Sequence, residues 1–203
     1  IDSLNRICSE NIYSNYNHPT TNNSSLDGFA INSKDTNNIS KKKYKKLKII
    51  GSISAGSKPF KKILKKDQAV EIMTGGILPK GSNSIIPIEK CTLINDSKNK
   101  YILIKQKLRK FENVRFKGSD FKKRDLLIKK NTLINPNHIM AFKALGVGYI
   151  KVKKKINIKF FSSGNEISED NHIPYWKIRN SNHHYIRNLK NNFLFNFENL
   201  GIL

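Results

Sequence analysis

Between Leu47 and Val114 the apolar residues come only in short runs, Leu47 to Ile50, Ala69 to Met73, Ile85 to Ile88 and Tyr101 to Ile104, broken by Gly, Pro and Asn. Runs of roughly four to eight residues bounded by turn formers suit strands, so this stretch is expected to be a mostly β module. No apolar run approaches the roughly 18 residues a membrane span needs, and the chain's 203 residues suit one or two domains.

The flanking segments read differently. Ile1, Leu4, Ile7, Cys8 and Ile12 have helix-like spacing, with Asp2 or Ser3 placed as a cap, so a short helix is expected there. His18 to Ser25 is a loop by composition, followed by the short run Leu26 to Ile31. Asn135 can cap a helix that has Pro136 at its first position and stops at Gly146. Val147 to Val152 and Ile156 to Phe161 read as strands. Tyr185, Leu189, Phe193 and Phe197, at i, i+4 steps, predict a helix from about Ser181 to Leu200 with Gly201 as its stop. Strand, loop and helix in that order are expected to open an α/β domain.

A net charge of +23 normally suggests nucleic acid. Its composition argues otherwise, because 32 Lys stand against 6 Arg, and Lys, Asn and Ile together fill 86 of 203 positions. These are residues of A/T-rich codons, whereas a nucleic-acid reader favours Arg forks. The sharpest basic block, residues 36 to 66, holds eleven Lys and no acid but only Tyr44 and Phe60 as stacking rings. Nucleic acid is therefore not the expected partner. Cys8 and Cys91 lack any C-x-x-C spacing, which excludes a disulfide scaffold or zinc ribbon and leaves both expected as buried apolar side chains. The cytoplasm is the expected compartment, with no membrane partner.

Acids number only 15, so their places are informative. Asp27 precedes Gly28, Asp120 follows Gly118, and Glu166 follows Gly164, all in predicted turns. Asp-Gly is also a common turn signal, and a Glu after a strand often caps the next helix. In Met73-Thr74-Gly75-Gly76 an apolar strand meets two glycines whose N–H groups could approach an anion, with the Thr74 hydroxyl as a further donor. None of the five histidines has the i, i+4 partner of a zinc helix, and the nucleophile elbow, P-loop and dinucleotide fingerprints are absent.

In order, these segments resemble the molybdopterin molybdenumtransferase family, which includes bacterial MoeA and the C-terminal domain of gephyrin. Asn22-Asn23-Ser24-Ser25-Leu26-Asp27-Gly28-Phe29-Ala30-Ile31 is similar to the family's Asp-Asn-Ser-Ala-Met-Asp-Gly-Tyr-Ala-Val. Ile72 to Gly76, with Pro79, Gly81 and Glu89, resembles its Met-Thr-Gly-Ala loop and following strand. Val114 to Asp120 resembles its Arg-x-x-Gly-Glu-Asp, and Phe161 to Glu166 its Ser-Thr-Gly-Asp-Glu turn.

The resemblance implies an α+β and α/β multidomain chain. Residues 1–19 and 121–152 would be linker-domain segments, 20–120 a β-rich domain inserted between them, and 153–203 the beginning of a truncated molybdopterin-binding α/β domain. It implies insertion of molybdate into adenylylated molybdopterin with release of AMP, with Mg²⁺ as cofactor, in a homodimer, and molybdopterin adenylyltransferase or other proteins of cofactor synthesis as partners. By position it makes Asp27, Thr74, Asp120 and Glu166 catalytic, and Ser24, Gly75, Gly76, Arg115, Ser163 and Gly164 substrate-binding. Asp27, Asp120 and Glu166 are the implied metal ligands. Asp27 and Thr74 would face the α/β domain of the other subunit.

Several positions depart from the family. Asn22 replaces an Asp, Gly76 an Ala, Ser119 a Glu, and Arg124 and Asn131 replace turn glycines, while Asn180-Ser181-Asn182 stands for Asp-Thr-Asn. The family's downstream Ser-Gly-Gly turn, Pro-Gly loops and C-terminal β-barrel are absent, so a fragment of a longer chain or a decayed gene product, inactive by itself, is expected. A second reading makes the chain a non-catalytic basic module that keeps the fold and binds RNA or another polyanion.

Overall fold

A computed structural model describes residues 3–40, 43–96, 99–189 and 194–203. Strands dominate, with two short α-helices among the described residues. The chain forms two compact units, Tyr16–Arg124 and the pair of segments Ile1–Asn15 and Asp125–Leu203.

The Tyr16–Arg124 unit is built on a six-stranded sheet. Its spatial order is Ser84–Pro87, Gly28–Ile31, Gln68–Ile72, Lys45–Ile53, Asn99–Ile104 and Cys91–Asp96. Neighbours are antiparallel except Lys45–Ile53 with Gln68–Ile72, which run parallel and so need the intervening crossover. The four predicted runs all lie in this sheet.

Gly28–Ile31 and most of Ser84–Pro87 are buried on both faces and read as unbroken apolar runs, whereas Lys48 and Glu71 interrupt the runs of the neighbouring strands. Phe29, Ile31, Leu47, Ala69, Ile86, Ile102 and Ile104 pack in one cluster. Ala30, Ile53, Val70, Ile72 and Ile85 pack in another. Strand pairing sets this division, since Ala30 sits opposite both Val70 and Ile85 while Phe29 sits opposite Ile86. Each large side chain so buried contributes about 1.5 to 3 kcal/mol. Gly28 is required between these neighbours, because a Cβ there would lie 2.0 Å from the Ile86 carbonyl oxygen.

In the other unit the helix Pro136–Ala144 forms as its signals predict. The Asn135 side chain accepts the His138 N–H, His138 reciprocates, and Gly146 takes φ of +68°. Phe142 from this helix packs with Cys8, Ile128 and Ile134.

Two expected helices are corrected. Residues 3–15 hold no helix; Ile7 and Cys8 form isolated bridges to Leu133 and Val152, and Ile12–Tyr13 pairs with Leu126–Ile128. Ile1 and Asp2, part of that expectation, lie outside the described residues. The C-terminal helix spans only Ser181–Arg187, and Phe195–Ile202 is a strand parallel to Ile156–Ser162. Phe195 and Phe197 also satisfy a period of two, and pairing with Ile156–Ser162 selects that period over the helical one. Phe193 lies outside the described residues. Val147 to Val152, expected as a strand, contributes only the bridge at Val152, and its Val147, Ile150 and Val152 pack against the cluster around Phe142. No helix among the described residues is long and apolar enough to cross a membrane.

Candidate functional site

Antiparallel register builds the first part of the site. Gly28 pairs with Ile72, so Asp27, just before one strand, meets Thr74, just beyond the end of its neighbour. The Thr74 backbone N–H and its hydroxyl each donate to Asp27 Oδ1 at 2.7 Å. Both donors favour the carboxylate form and hold the Asp27 pKa below its ordinary value, the hydroxyl contributing most. Asp27 Oδ2 has no hydrogen-bond partner among the described residues.

Beside this pair lies a cavity of about 200 Å³ bordered by Pro19, Ser24, Ser25, Thr74, Gly75 and Arg115. The pairing of Asn23–Ser24 with Val114–Arg115 brings residues ninety positions apart to this wall. The loop is tied both to the Asn23–Ser24 strand and within itself. Gly75 N–H donates to the Ser24 carbonyl at 2.9 Å, Gly76 N–H to the Met73 carbonyl at 2.8 Å, and Asn23 Nδ2 to the Gly75 carbonyl at 2.7 Å. The expected use of these glycine N–H groups as anion donors is therefore corrected, since one is spent on the Asn23–Ser24 strand and the other within the loop. Likewise the Thr74 hydroxyl proton goes to Asp27, leaving the hydroxyl oxygen as an acceptor.

Arg115 donates to Asp120 Oδ2, and His18 Nε2 lies 3.7 Å from the same oxygen. The His18 carbonyl accepts the Asp120 N–H at 3.0 Å. His18 and Asn23 are thus contributors that the residue-type reading passes over. Asn23 could have been found from its place beside Ser24, whereas the partnership of His18 needs the fold.

In the other unit, Ser163, Gly164 and Glu166 occupy the turn that leaves the Ile156–Ser162 strand. Gly164 has φ of +144°, and the Glu166 carboxylate lies across it, 2.7 Å from where a Cβ would stand. Asn180, buried, accepts from the Ser162 hydroxyl at 2.9 Å and donates to Glu169 at 3.0 Å.

Residues 1–146 match the family model described as the MoeA N-terminal region, domains I and II. The chain belongs to the MoeA family. Molybdopterin molybdenumtransferase from Staphylococcus aureus strain N315 is 34% identical over 188 residues, covering 92% of this chain and 44% of that protein. The Staphylococcus epidermidis ATCC 12228 protein of the same name is 31% identical over 193 residues, 95% and 45% of the two chains. Two crystal structures of the molybdopterin biosynthesis MoeA protein from Pyrococcus horikoshii are similar. One has a TM-score of 0.85 at 30% identity, covering 98% of this chain and 50% of that one. The other has 0.89 at 25%, covering 99% and 52%. The chain thus spans about half the length of the MoeA relatives it matches.

Membership makes the departures interpretable. Asn22 keeps the acceptor role open to an Asp, its Oδ1 taking the Lys117 N–H at 2.9 Å. Arg124 and Asn131, at positions where the resemblance implies turn glycines, hold φ of +75° and +68°. Gly76 is confined, because a methyl there would meet Ile72 Cγ1 at 2.8 Å and the Met73 oxygen at 2.9 Å. Among the described residues no three His, Cys, Asp or Glu side chains gather as a cation site. Asp27 has one oxygen saturated by Thr74, and Asp120 is paired with Arg115. Of the three carboxylates that the resemblance implies as Mg²⁺ ligands, Asp27 keeps its second oxygen open and Glu166 belongs to the other unit.

Proposed function

We propose that this chain is a MoeA-type segment that takes part in inserting molybdate into adenylylated molybdopterin with release of AMP. The observation that carries the reading is the Asp27–Thr74 pair beside the cavity bordered by Ser24, Gly75 and Arg115. An ionised Asp27 accepts hydrogen bonds and repels oxyanions, so it suits an N–H or O–H group of the pterin rather than molybdate. The guanidinium donors of Arg115 not used on Asp120 suit a phosphate or molybdate oxygen. Substrates of α/β sheets collect beyond the carboxyl ends of parallel strands, and the Ser163–Glu166 turn stands at such an end.

Several parts of the reading reach past this chain. Residues 20–120 would form the β-rich domain inserted between linker segments 1–19 and 121–152, with 153–203 opening an α/β domain; one parallel strand pair and the helix Ser181–Arg187 support the latter. Asp27 and Thr74 would face the α/β domain of a second copy in a homodimer, substrate would arrive from an adenylyltransferase, and the site would work in the cytoplasm. Mg²⁺ would draw on the open oxygen of Asp27, and no step is assigned to it. The chain alone should not complete the reaction, since one βα unit lacks the other strand ends that converge on a ligand.

A chimera tests this, with residues 1–203 replacing the matching half of the S. aureus relative. Cofactor formation from adenylylated molybdopterin and molybdate should occur with the parent segment and be abolished by Asp27→Asn. The same rate in the variant would remove Asp27 from the site. The polyanion-module reading predicts instead that RNA affinity falls by about 0.7 to 0.9 log units per phosphate per tenfold salt.

A further inference from the structure

A second concavity of the Tyr16–Arg124 unit, about 310 Å³, lies among residues that the preceding site does not use. Three separate stretches line it. Lys34, Asn37 and Asn38 come from around the 3₁₀ turn Ser33–Thr36, Lys43 and Tyr44 from just before the Lys45–Ile53 strand, and Lys66 from just before Gln68–Ile72. Two carboxylates stand here, Asp35 in the lining itself and Asp67 beside it, and only Asp67 has a lysine partner. Asp35 Oδ2 accepts the Asp67 N–H at 3.1 Å, and Asp67 pairs with Lys45. Lys34, Lys43 and Lys66 have no ion-pair partner among the described residues, and the side-chain amides of Asn37 and Asn38 have no hydrogen bond there. Tyr44 is 51% exposed, with Lys105 Nζ 5.5 Å from its ring centroid.

We propose that this pocket binds a nucleoside phosphate, the phosphate between Lys34, Lys43 and Lys66 and the base against Tyr44. The ammonium groups of Lys34, Lys43 and Lys66, brought together from three stretches, outnumber the single unpaired carboxylate of Asp35, and a bound anion relieves the repulsion that remains. The two free carboxamides offer donors and acceptors to a sugar or base. A ring beside the cationic wall distinguishes this place from an ordinary solvated lysine face. The volume lies at the lower end of small-molecule pockets, about 300 to 1,000 Å³, which suits one nucleotide rather than a strand.

Calorimetric titration of the 203-residue chain with AMP, pyrophosphate and a short single-stranded RNA tests the proposal. Lys43→Gln combined with Lys66→Gln should weaken AMP and pyrophosphate by about tenfold or more. Tyr44→Ala should weaken AMP by about tenfold and leave pyrophosphate within about twofold. Lys130→Gln, in the other unit, should change neither. Equal losses in Lys130→Gln, equal effects of Tyr44→Ala on both anions, or no AMP binding would overturn the proposal. So would tighter RNA binding with a salt slope of several phosphates, which would mark an extended polyanion face.

Discussion

One oxygen of Asp27 receives both polar hydrogens that Thr74 can offer, each at 2.7 Å. The carboxylate is thereby fixed in direction and protonation, with its second oxygen left for whatever occupies the exposed end of the sheet. This pair gives the first prediction. Thr74→Val removes the hydroxyl donor, the larger cause of the lowered Asp27 pKa, and keeps the backbone one. Side-chain carboxyl NMR should show the Asp27 midpoint moving upward toward its ordinary value, while Thr74→Ser holds it low. A lowered folded-state pKa adds stability above the unfolded value that is lost as pH falls through the folded one. The parent's advantage over Thr74→Val should therefore fade on acidification through that window; an unmoved midpoint would show the hydroxyl to be irrelevant.

Gly28→Ala should be severe. Its methyl would be driven against the Ile86 carbonyl, which belongs to the adjoining strand and cannot move without disturbing the sheet. A loss of about 3 kcal/mol is expected from urea unfolding. A loss below about 1 kcal/mol would mean that the two strands separate more readily than their packing implies.

Arg124→Gly should stabilise the chain. A non-glycine residue at φ of +75° bears about 1 to 2 kcal/mol of steric cost, partly offset by the greater freedom glycine gives the unfolded chain. A net gain of about 0.5 to 1 kcal/mol should appear as a higher urea midpoint. Asn131→Gly should gain less, since Asn tolerates the left-handed region. The reverse ranking would locate the strain elsewhere.

Cys91 should be a poor nucleophile. Burial, and secondarily the Glu89 charge, push its thiol up to about 12. At pH 8 about one molecule in ten thousand then carries the thiolate, so Ellman's reagent should react slowly until urea exposes the thiol. Rapid modification of the native chain would contradict this burial.

By itself the sequence determined what local chemistry can determine. The four strand runs, the Asn135-Pro136 start and Gly146 stop of one helix, and the glycine-flanked turns holding Asp27, Asp120 and Glu166 depend on residues close together in the chain. Tertiary structure decided the rest. Tyr185, Leu189 and Phe197 fit a helix as well as Phe195 and Phe197 fit a strand, and pairing with the distant Ile156–Ser162 strand settled which period applied. The N-terminal apolar spacing gave way similarly, because bridges to Leu133 and Val152 claim the backbone a helix would have used. The Gly75 and Gly76 N–H groups looked available as donors only until the fold placed the Ser24 and Met73 carbonyls against them. Every buried polar group seeks a partner, and which partner arrives depends on strand register, a property of chain segments far apart in sequence.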